Sequence, residues 1–228
     1  MLSKDQHAAV RAAIAAAEAR TSGEILCVVA RQSAHYGEVP FGWASALALA
    51  APPLALALGV RPGALLAVFQ NDWIAAHTAA INSAMTAALI GYAALQAALF
   101  VVAASLASLP AVKLALTPGS LKRSQVHKRA MEQFFARGLP ALEDRAGVLI
   151  YVSSAERRVE VIAGEGIHGK VGEAVWNQAV AAALQRIRRG DAAGGLIAAI
   201  EICGAALAEH FPAEGEPANR LPDDVAEI

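Results

Sequence analysis

The amino-acid sequence predicts a mixed α/β protein, a three-layer sandwich around a small central sheet that is interrupted by a hairpin of two transmembrane helices. Hydrophobic residues fill 56% of the 228 positions and charged residues only 17%, which is apolar for a water-soluble domain. The apolar excess is concentrated in residues 42–60 and 73–112, which carry no charge. Outside them, helical and strand patterns alternate as in α/β domains.

The first part of the chain predicts one helix and one strand. Ser3 is a candidate N-cap, and Val10 and Ile14 mark the apolar side of a helix that ends near Arg20. The continuous apolar run at residues 24–30 is typical of a strand that is buried on both faces. The residues before position 40 contain no secretory signal, so we expect them in the cytoplasm.

Two apolar stretches are candidate membrane spans. Residues 41–60 would form a helix of about 30 Å, the thickness of the hydrocarbon core. Pro52 and Pro53 lie within it, and membrane helices tolerate such kinks. The second span is expected at residues 85–109. Residues 64–84 are more polar and predict an interfacial or re-entrant segment, with Phe69 and Trp73 either at headgroup depth or packed against the spans.

The distribution of positive charge predicts the orientation of the hairpin. Two spans place both flanking parts of the chain on the same side of the bilayer. The flanking sequence is rich in basic residues, whereas the connection between the spans carries only Arg61. The positive-inside rule therefore places the α/β domain in the cytoplasm, at a bacterial inner membrane. The basic residues near the membrane are Arg31, Lys113, Lys122, Arg123, Lys128 and Arg129.

The second part of the chain supplies the rest of the sandwich. A basic helix is predicted over residues 121–137, capped by Ser120, with an apolar stripe of Val126, Ala130, Phe134 and Phe135. Its basic side is expected to face either anionic lipid or solvent. A strand hairpin and two helices follow, at residues 147–153, 158–163, 173–188 and 195–210. The predicted domains are 1–39 and 114–211, with the inserted hairpin at 40–113 and an acidic extended tail at 212–228.

The sequence lacks the residues that several classes of function require. A net charge of −1 gives no basic surface of the kind that binds nucleic acid. Gly164, Gly166 and Gly169 have G-x-G-x-x-G spacing, but no strand follows the next helix, so dinucleotide binding is not predicted. Cys27 and Cys203 are expected to be buried free thiols. The histidines show no zinc-ligand spacing.

Three carboxylates at predicted strand ends form a candidate metal site. Glu24 opens the first strand, Asp144 precedes the second and Glu165 follows the third. Loops at strand ends are common ligand positions in α/β sheets, and carboxylate oxygens suit Ca²⁺ or Mg²⁺. The alternative is that these side chains are simply solvated, as most surface carboxylates are.

Several short motifs, taken in order, resemble the TPM domain family. They are Thr-Ser-Gly-Glu-Ile at residues 21–25, Asp-Arg-Ala-Gly-Val-Leu-Ile at 144–150, Glu-Arg-Arg-Val-Glu-Val-Ile at 156–162, the glycine-rich residues 164–167, and Trp176. The resemblance covers residues 2–39 and 114–211, and the inserted hairpin is similar to one bacterial branch. It implies a compact α/β sandwich. Gly164 stands where many members have an acid, with Glu165 one position later.

The resemblance implies two hypotheses about function. Some members act in the repair or assembly of membrane complexes, and bacterial members often occur beside LemA-type membrane proteins. This similarity favours a membrane-anchored interaction or assembly module. A plant member is described as an acid phosphatase, so the alternative is a divalent-metal-dependent phosphatase that uses Glu24, Asp144 and Glu165. We prefer the first hypothesis because the sequence offers no clear nucleophile or two-metal cluster.

Overall fold

The structure is a computed structural model that describes residues 2–59, 77–142, 146–213 and 225–228. The chain divides into two compact units. The first unit contains Met1–His35 and Pro118–Ile228, and the second contains Tyr36–Thr117. The first unit is thus built from two separate parts of the sequence.

The first unit is built on a four-stranded mixed sheet with the order β3-β2-β1-β4. The strands are β1 (Glu24–Ala30), β2 (Gly147–Ser153), β3 (Arg158–Ala163) and β4 (Val225–Glu227). β1 lies parallel to both β2 and β4, and β2 and β3 form an antiparallel hairpin. Both parallel pairings join residues that are more than 100 positions apart, so the sheet combines segments from both parts of the unit.

Helices cover both faces of this sheet. Five helices belong to the first unit within the described residues: α1 (Lys4–Glu18), α5 (Gly119–Ala136), the single turn α6 (Glu165–His168), α7 (Glu173–Ile187) and α8 (Ala192–His210). Alternate side chains of the sheet, such as Ile25 and Ile150, pack with α1, α7 and α8. The intervening side chains, such as Leu26 and Leu149, pack with α5. This is a mixed α/β arrangement of three layers.

Local sequence explains where α1 and α8 begin and why these two helices pack closely together. Ser3 caps α1 in a capping box with Gln6, and Asp191 caps α8 by accepting a hydrogen bond from the Gly194 N–H at 2.8 Å. A Cβ atom at Gly204 of α8 would lie 2.7 Å from the Ala17 Cβ of α1. Glycine at this position therefore permits the close approach of the two helices.

The described residues of the second unit are mostly helical. The helices are α2 (Glu38–Ala57), α3 (His77–Ala107) and α4 (Pro110–Leu116). Phe41 stacks on Phe100 with ring centroids 6.4 Å apart, and the Gln96 side chain donates a hydrogen bond to the Ala48 carbonyl at 3.4 Å. Because higher numbers on α2 meet lower numbers on α3, the two helices form an antiparallel hairpin.

Two helices among the described residues are long and apolar enough to cross a membrane, judged by length and composition. In α3, Thr86–Ala107 passes this test, and none of its most apolar stretch is buried. The other helix is α8, which forms part of the core, and 56% of its most apolar stretch is buried. α2, which covers most of the predicted first span, is not one of the two. The structure thus gives one apolar, exposed helix where the second span is predicted.

The structure confirms the predicted strands at 24–30, 147–153 and 158–163 and corrects several helix boundaries. α5 begins at Gly119, and no side chain caps it, so Ser120 is not the N-cap. Its buried stripe contains Val126, Ala130 and Phe134, whereas Phe135 is exposed. α3 begins at His77, so residues 77–84 continue the helix of the second predicted span. Phe69 and Trp73 lie outside the described residues.

Candidate functional site

The predicted carboxylates meet different environments. Glu24 is the first residue of β1 and is buried, and its N–H donates a hydrogen bond to the Ala146 carbonyl at 3.1 Å. Glu165 is the first residue of α6 and is exposed. Asp144 lies outside the described residues. The predicted glycine-rich loop is thus partly a helical turn.

Glu24 and Glu165 both lie at one end of the sheet. Glu24 is in register with Gly147, and the Gly164 N–H donates to the Gly147 carbonyl at 2.8 Å. This is the amino end of β1 and β2, whereas α/β sheets usually bind ligands at the carboxyl ends of their strands. Among the described residues, no three His, Cys, Asp or Glu side chains lie close enough together to hold a metal ion. A Ca²⁺ or Mg²⁺ site at Glu24, Asp144 and Glu165 therefore stays a prediction.

A buried polar network lies at the opposite end of the sheet. The Ser33 hydroxyl is 3.0 Å from the Tyr151 hydroxyl and donates to Ser153 Oγ at 2.9 Å. The Glu156 carboxylate accepts hydrogen bonds from the Ser153 hydroxyl and from the Ser33 N–H, the latter at 3.1 Å. Buried carboxylates are stable only when such donors satisfy them. The network therefore fixes the turn between β2 and β3.

Burial in this network raises the pKa of Tyr151, and the hydrogen bond between Tyr151 and Ser33 lowers it by a smaller amount. The Tyr151 hydroxyl is thus held neutral. The turn it supports ends at Arg157, which has a left-handed backbone with φ of 51°. A left-handed residue commonly closes a short hairpin loop. The buried network therefore sets where Arg157 and the start of β3 are placed.

A groove of about 760 Å³ lies along β3, and we call it the edge groove. α5 forms one wall, α7 forms the other, and β3 lies between them. The α5 wall contributes Gly119, Lys122 and Arg123. The lining residues from the β2–β3 turn, β3 and α7 are Glu156, Arg157, Arg158, Val159, Glu160, Val161, Trp176, Asn177, Val180, Leu184 and Arg188.

The free edge of β3 supplies unpaired backbone groups to this groove. In an antiparallel ladder, opposite residues alternate between hydrogen-bonded and non-hydrogen-bonded pairs. The hydrogen bond from the Gly164 N–H to the Gly147 carbonyl identifies these opposite residues as a hydrogen-bonded pair. Two steps of two residues along the ladder, Glu160 and Tyr151 form another hydrogen-bonded pair. Val159 and Val161 therefore occupy non-hydrogen-bonded positions. The N–H and C=O groups of Val159 and Val161 therefore point away from β2. In the described part of the chain, β3 pairs with no strand other than β2.

The charge of the edge groove is strongly positive. Glu160 lies 3.5 Å from His127 Nδ1, and Glu156 accepts the hydrogen bonds of the buried network. None of the ion pairs that the structure shows among the described residues includes a cation of the groove. Arg158 donates to the Gly119 carbonyl at 3.1 Å. The cations are Lys122, Arg123, Arg157, Arg158 and Arg188.

The two cysteines are buried and free, as the sequence predicts. Burial raises the pKa of Cys27, and it raises the pKa of Cys203 to about 12. Neither thiol forms a reactive thiolate near neutral pH. They belong to the apolar core between the sheet and α8.

The fold and the groove define a mixed α/β domain with an open, basic sheet edge. A domain of unknown function (DUF5130) matches residues 107–204, which is less than half of the chain. No curated protein matches the chain. The NMR structure of BA42 protein from the psychrophilic bacterium Bizionia argentinensis is similar, with a TM-score of 0.55 and 18% sequence identity. This alignment covers 100% of this chain and 96% of that chain, and it supports the fold alone.

Sequence reasoning did not find the edge groove. The sequence identifies Lys122 and Arg123 only as basic residues near the membrane, and it does not group them with Arg157, Arg158 and Arg188. The sequence carries one signal for it: Glu-Arg-Arg at 156–158 begins a hairpin strand that is the last strand the sequence predicts. Such a strand is a candidate edge strand, and charged residues are common on edge strands.

Proposed function

We propose that this chain is a membrane-anchored protein whose cytoplasmic, TPM-like α/β unit serves as an interaction or assembly module. The observation that carries the anchoring is the surface of the second unit. All but two of the exposed large apolar side chains in the described residues lie between Phe41 and Val112. Soluble monomers rarely expose an apolar surface that is so extended.

A bilayer explains this surface physically. Leu89 and Ile90 of α3 are 64% and 65% exposed, and on α2 Leu49 and Leu54 are similarly exposed. A helix that is apolar on all sides is stable only inside a large core or in lipid. The hairpin of α2 and α3 is too small to bury these side chains itself. Lipid would cover both helices, so that α2 spans the bilayer as well as α3.

Two features support a cytoplasmic interaction role over catalysis. The flanking segments carry more lysine and arginine than the connection between α2 and α3 does, as the positive-inside rule requires. The first unit presents an open sheet edge, and such edges bind peptides by adding a strand. A LemA-type membrane protein is the kind of partner that the resemblance suggests.

Alkaline carbonate extraction and topology reporters test the anchoring. We expect the full chain to remain in the membrane pellet at high pH, because only integral proteins resist extraction. After Ile228, a reporter that works only in the cytoplasm should be active. Near Asp72, a reporter that works only in the periplasm should be active. Release of the chain by carbonate, or a cytoplasmic Asp72, contradicts the proposal.

A separate assay addresses the phosphatase alternative. The purified chain is incubated with a generic phosphomonoester and Mg²⁺ or Ca²⁺, with and without Glu165→Gln. An interaction module should show no metal-dependent hydrolysis in either form. Turnover that requires the metal and is lost in the variant would replace the module with an enzyme.

A further inference from the structure

We propose that the edge groove binds an extended segment of another protein as a fifth strand beside β3, and that this segment alternates acidic and apolar residues. The inference rests on the proposed interaction role and specifies the chemistry of the partner. It follows from three features of the groove: an unpaired strand edge, two walls of different chemistry, and an excess of positive charge.

The backbone of β3 selects an extended partner. Val159 and Val161 direct their N–H and C=O groups toward the groove, and Ala163 continues the same alternation. These groups have the spacing of a strand ladder, so they match another strand and not a helix. β3 has six residues. At about 3.3 Å per residue, it can pair with roughly 20 Å of partner chain.

The two walls select an alternating sequence. Side chains of a docked strand would point in turn toward the α5 wall and the α7 wall, because the side-chain period of a strand is two. The α5 wall presents Lys122 and Arg123. The α7 wall is mainly apolar, with Trp176, Val180 and Leu184, and its polar lining residues are Asn177 and, at the C-terminal end of the helix, Arg188. Acidic residues therefore suit one face of the partner strand and apolar residues suit the other.

The charge of the groove selects an acidic partner over a basic one. Five cations line it, and its two carboxylates are already engaged by His127 and by the buried network. A basic strand would add like charges near these cations without gaining a free carboxylate. An acidic strand would gain charge-assisted hydrogen bonds from them.

A bilayer surface and a second copy of this chain fit the groove less well. Anionic lipid headgroups could neutralise Lys122 and Arg123, but they cannot form the backbone ladder with Val159 and Val161. Self-association through two β3 edges would place two sets of groove cations near each other, which is unfavourable. An acidic, alternating strand satisfies the backbone, the apolar wall and the charges together.

Fluorescence anisotropy with synthetic peptides tests this inference on the full chain in lipid nanodiscs. The probe is a labelled eight-residue peptide of alternating glutamate and valine. Three controls are a lysine–valine peptide, a peptide with the same composition in the order Glu-Glu-Val-Val, and the probe with alternate backbone amides methylated. We expect the probe to bind and each control to bind at least about tenfold more weakly, because each lacks one required feature.

A matched pair of double variants locates the binding site. Lys122→Glu with Arg188→Glu reverses two groove cations, and Lys128→Glu with Arg189→Glu reverses two neighbours outside the groove. Both variants change the net charge equally, and Lys128 and Arg189 are exposed. We expect the first variant to weaken binding about tenfold and the second to leave it within about twofold. Val161→Pro, which removes one outward N–H, should also weaken binding.

Specific outcomes overturn the inference. Equal binding of the methylated probe excludes strand addition, and equal binding of the lysine peptide excludes charge selection. Binding of anionic vesicles to the groove, without binding of the probe, would assign the groove to lipid. Dimerisation of the chain that is lost in Val161→Pro would assign the groove to a second copy. If the probe does not bind and the chain nevertheless stays in the membrane pellet after carbonate treatment, the inference alone is rejected. Probe binding by a chain that carbonate releases rejects the anchoring alone.

Discussion

Gly147, at the start of β2, illustrates how tightly the first unit is packed at single residues. A Cβ atom here would lie 2.7 Å from Leu139 Cδ2 and 2.9 Å from Leu142 Cδ1. Gly147→Ala should therefore lower the free energy of unfolding by about 1–3 kcal/mol, the usual effect of overpacking. Urea denaturation measures this change.

Gly169→Ala provides the matched control at the residue scale. No atom lies within 4 Å of the Cβ position at Gly169, and its backbone is helical, with φ of −78° and ψ of −17°, which alanine adopts readily. We expect its free energy of unfolding to stay within about 0.5 kcal/mol of the wild-type value. Equal destabilisation by the two substitutions would mean that space at Gly147 is not the determinant.

Tyr151 should couple stability to alkaline pH. Its pKa is raised in the folded protein, chiefly by burial, so the folded state favours the neutral phenol. An unfolded tyrosine ionises near pH 10, by the usual value of about 10. The stabilisation is therefore complete below about pH 10 and is lost as the pH rises through the raised pKa.

Tyr151→Phe tests this coupling. We expect the variant to lose less stability than the wild type when the pH is raised from 8 to about 11, because one group no longer titrates. At pH 8 it should cost about 1 kcal/mol through the lost hydrogen bond with Ser33. Denaturation curves at the two pH values give both quantities. An identical pH dependence in both proteins would refute the coupling.

At the scale of single elements, α3 is the critical test of anchoring. Val101 on α3 and Phe135 on α5 are 60% and 61% exposed, so an aspartate at either site is tolerated in water. At the centre of a membrane helix an aspartate costs about 2.5–3.5 kcal/mol. Val101→Asp should therefore reduce the membrane-inserted fraction, whereas Phe135→Asp should not.

Glycosylation or fractionation assays measure this inserted fraction for both variants. Because each variant adds one negative charge at an equally exposed apolar site, solubility changes alone would affect them equally. An equal response would indicate that the surface of α3 does not meet lipid. It would leave the fold of the first unit unaffected.

Among the elements, strands were predicted more accurately than helix ends. The bounds of β1 and β2 follow directly from apolar runs, and those of β3 follow from a partial alternation of polar and apolar residues. β4 was not predicted, because three residues, Val225–Glu227, are too few to carry a pattern. It is defined by pairing with β1, and the Arg31 N–H also donates to the Ile228 carbonyl at 2.9 Å.

At the scale of the whole molecule, the first unit should fold without the second. Apolar clusters fill both faces of its sheet, and the clusters contain only residues of the first unit. Replacing residues 36–117 with a flexible glycine–serine linker should yield a water-soluble protein with one cooperative unfolding transition. Gel filtration and thermal denaturation monitored by circular dichroism measure both properties.

An aggregated or unfolded product would mean that the inserted segment contributes to the core of the first unit. The full chain in detergent is the control, since it contains the same sheet. Its thermal transition should lie close to that of the linker protein, because neither cluster of the first unit loses a residue in the replacement.

The candidate site shows why patterns alone are insufficient at this scale. The sequence predicts Glu24 and Glu165 as site residues because they lie at strand ends, yet Glu24 is buried and Glu165 is exposed. Lys122 and Arg188 are 66 positions apart in the sequence, and only the packing of α5 and α7 beside β3 places them in one groove. No short-range pattern in the sequence predicts that these two residues line the same groove.

The sequence by itself determined the apolar hairpin region, the three longer strands, the positions of most helices and the burial of both cysteines. Each depends on periodicity or composition within about 20 residues, which local side-chain burial controls. Only the tertiary structure decided that β4 extends the sheet, that Ser33, Tyr151, Ser153 and Glu156 share a buried network, and that β3 remains an open edge. Those features depend on contacts between distant residues, and the geometry of the complete sheet sets them.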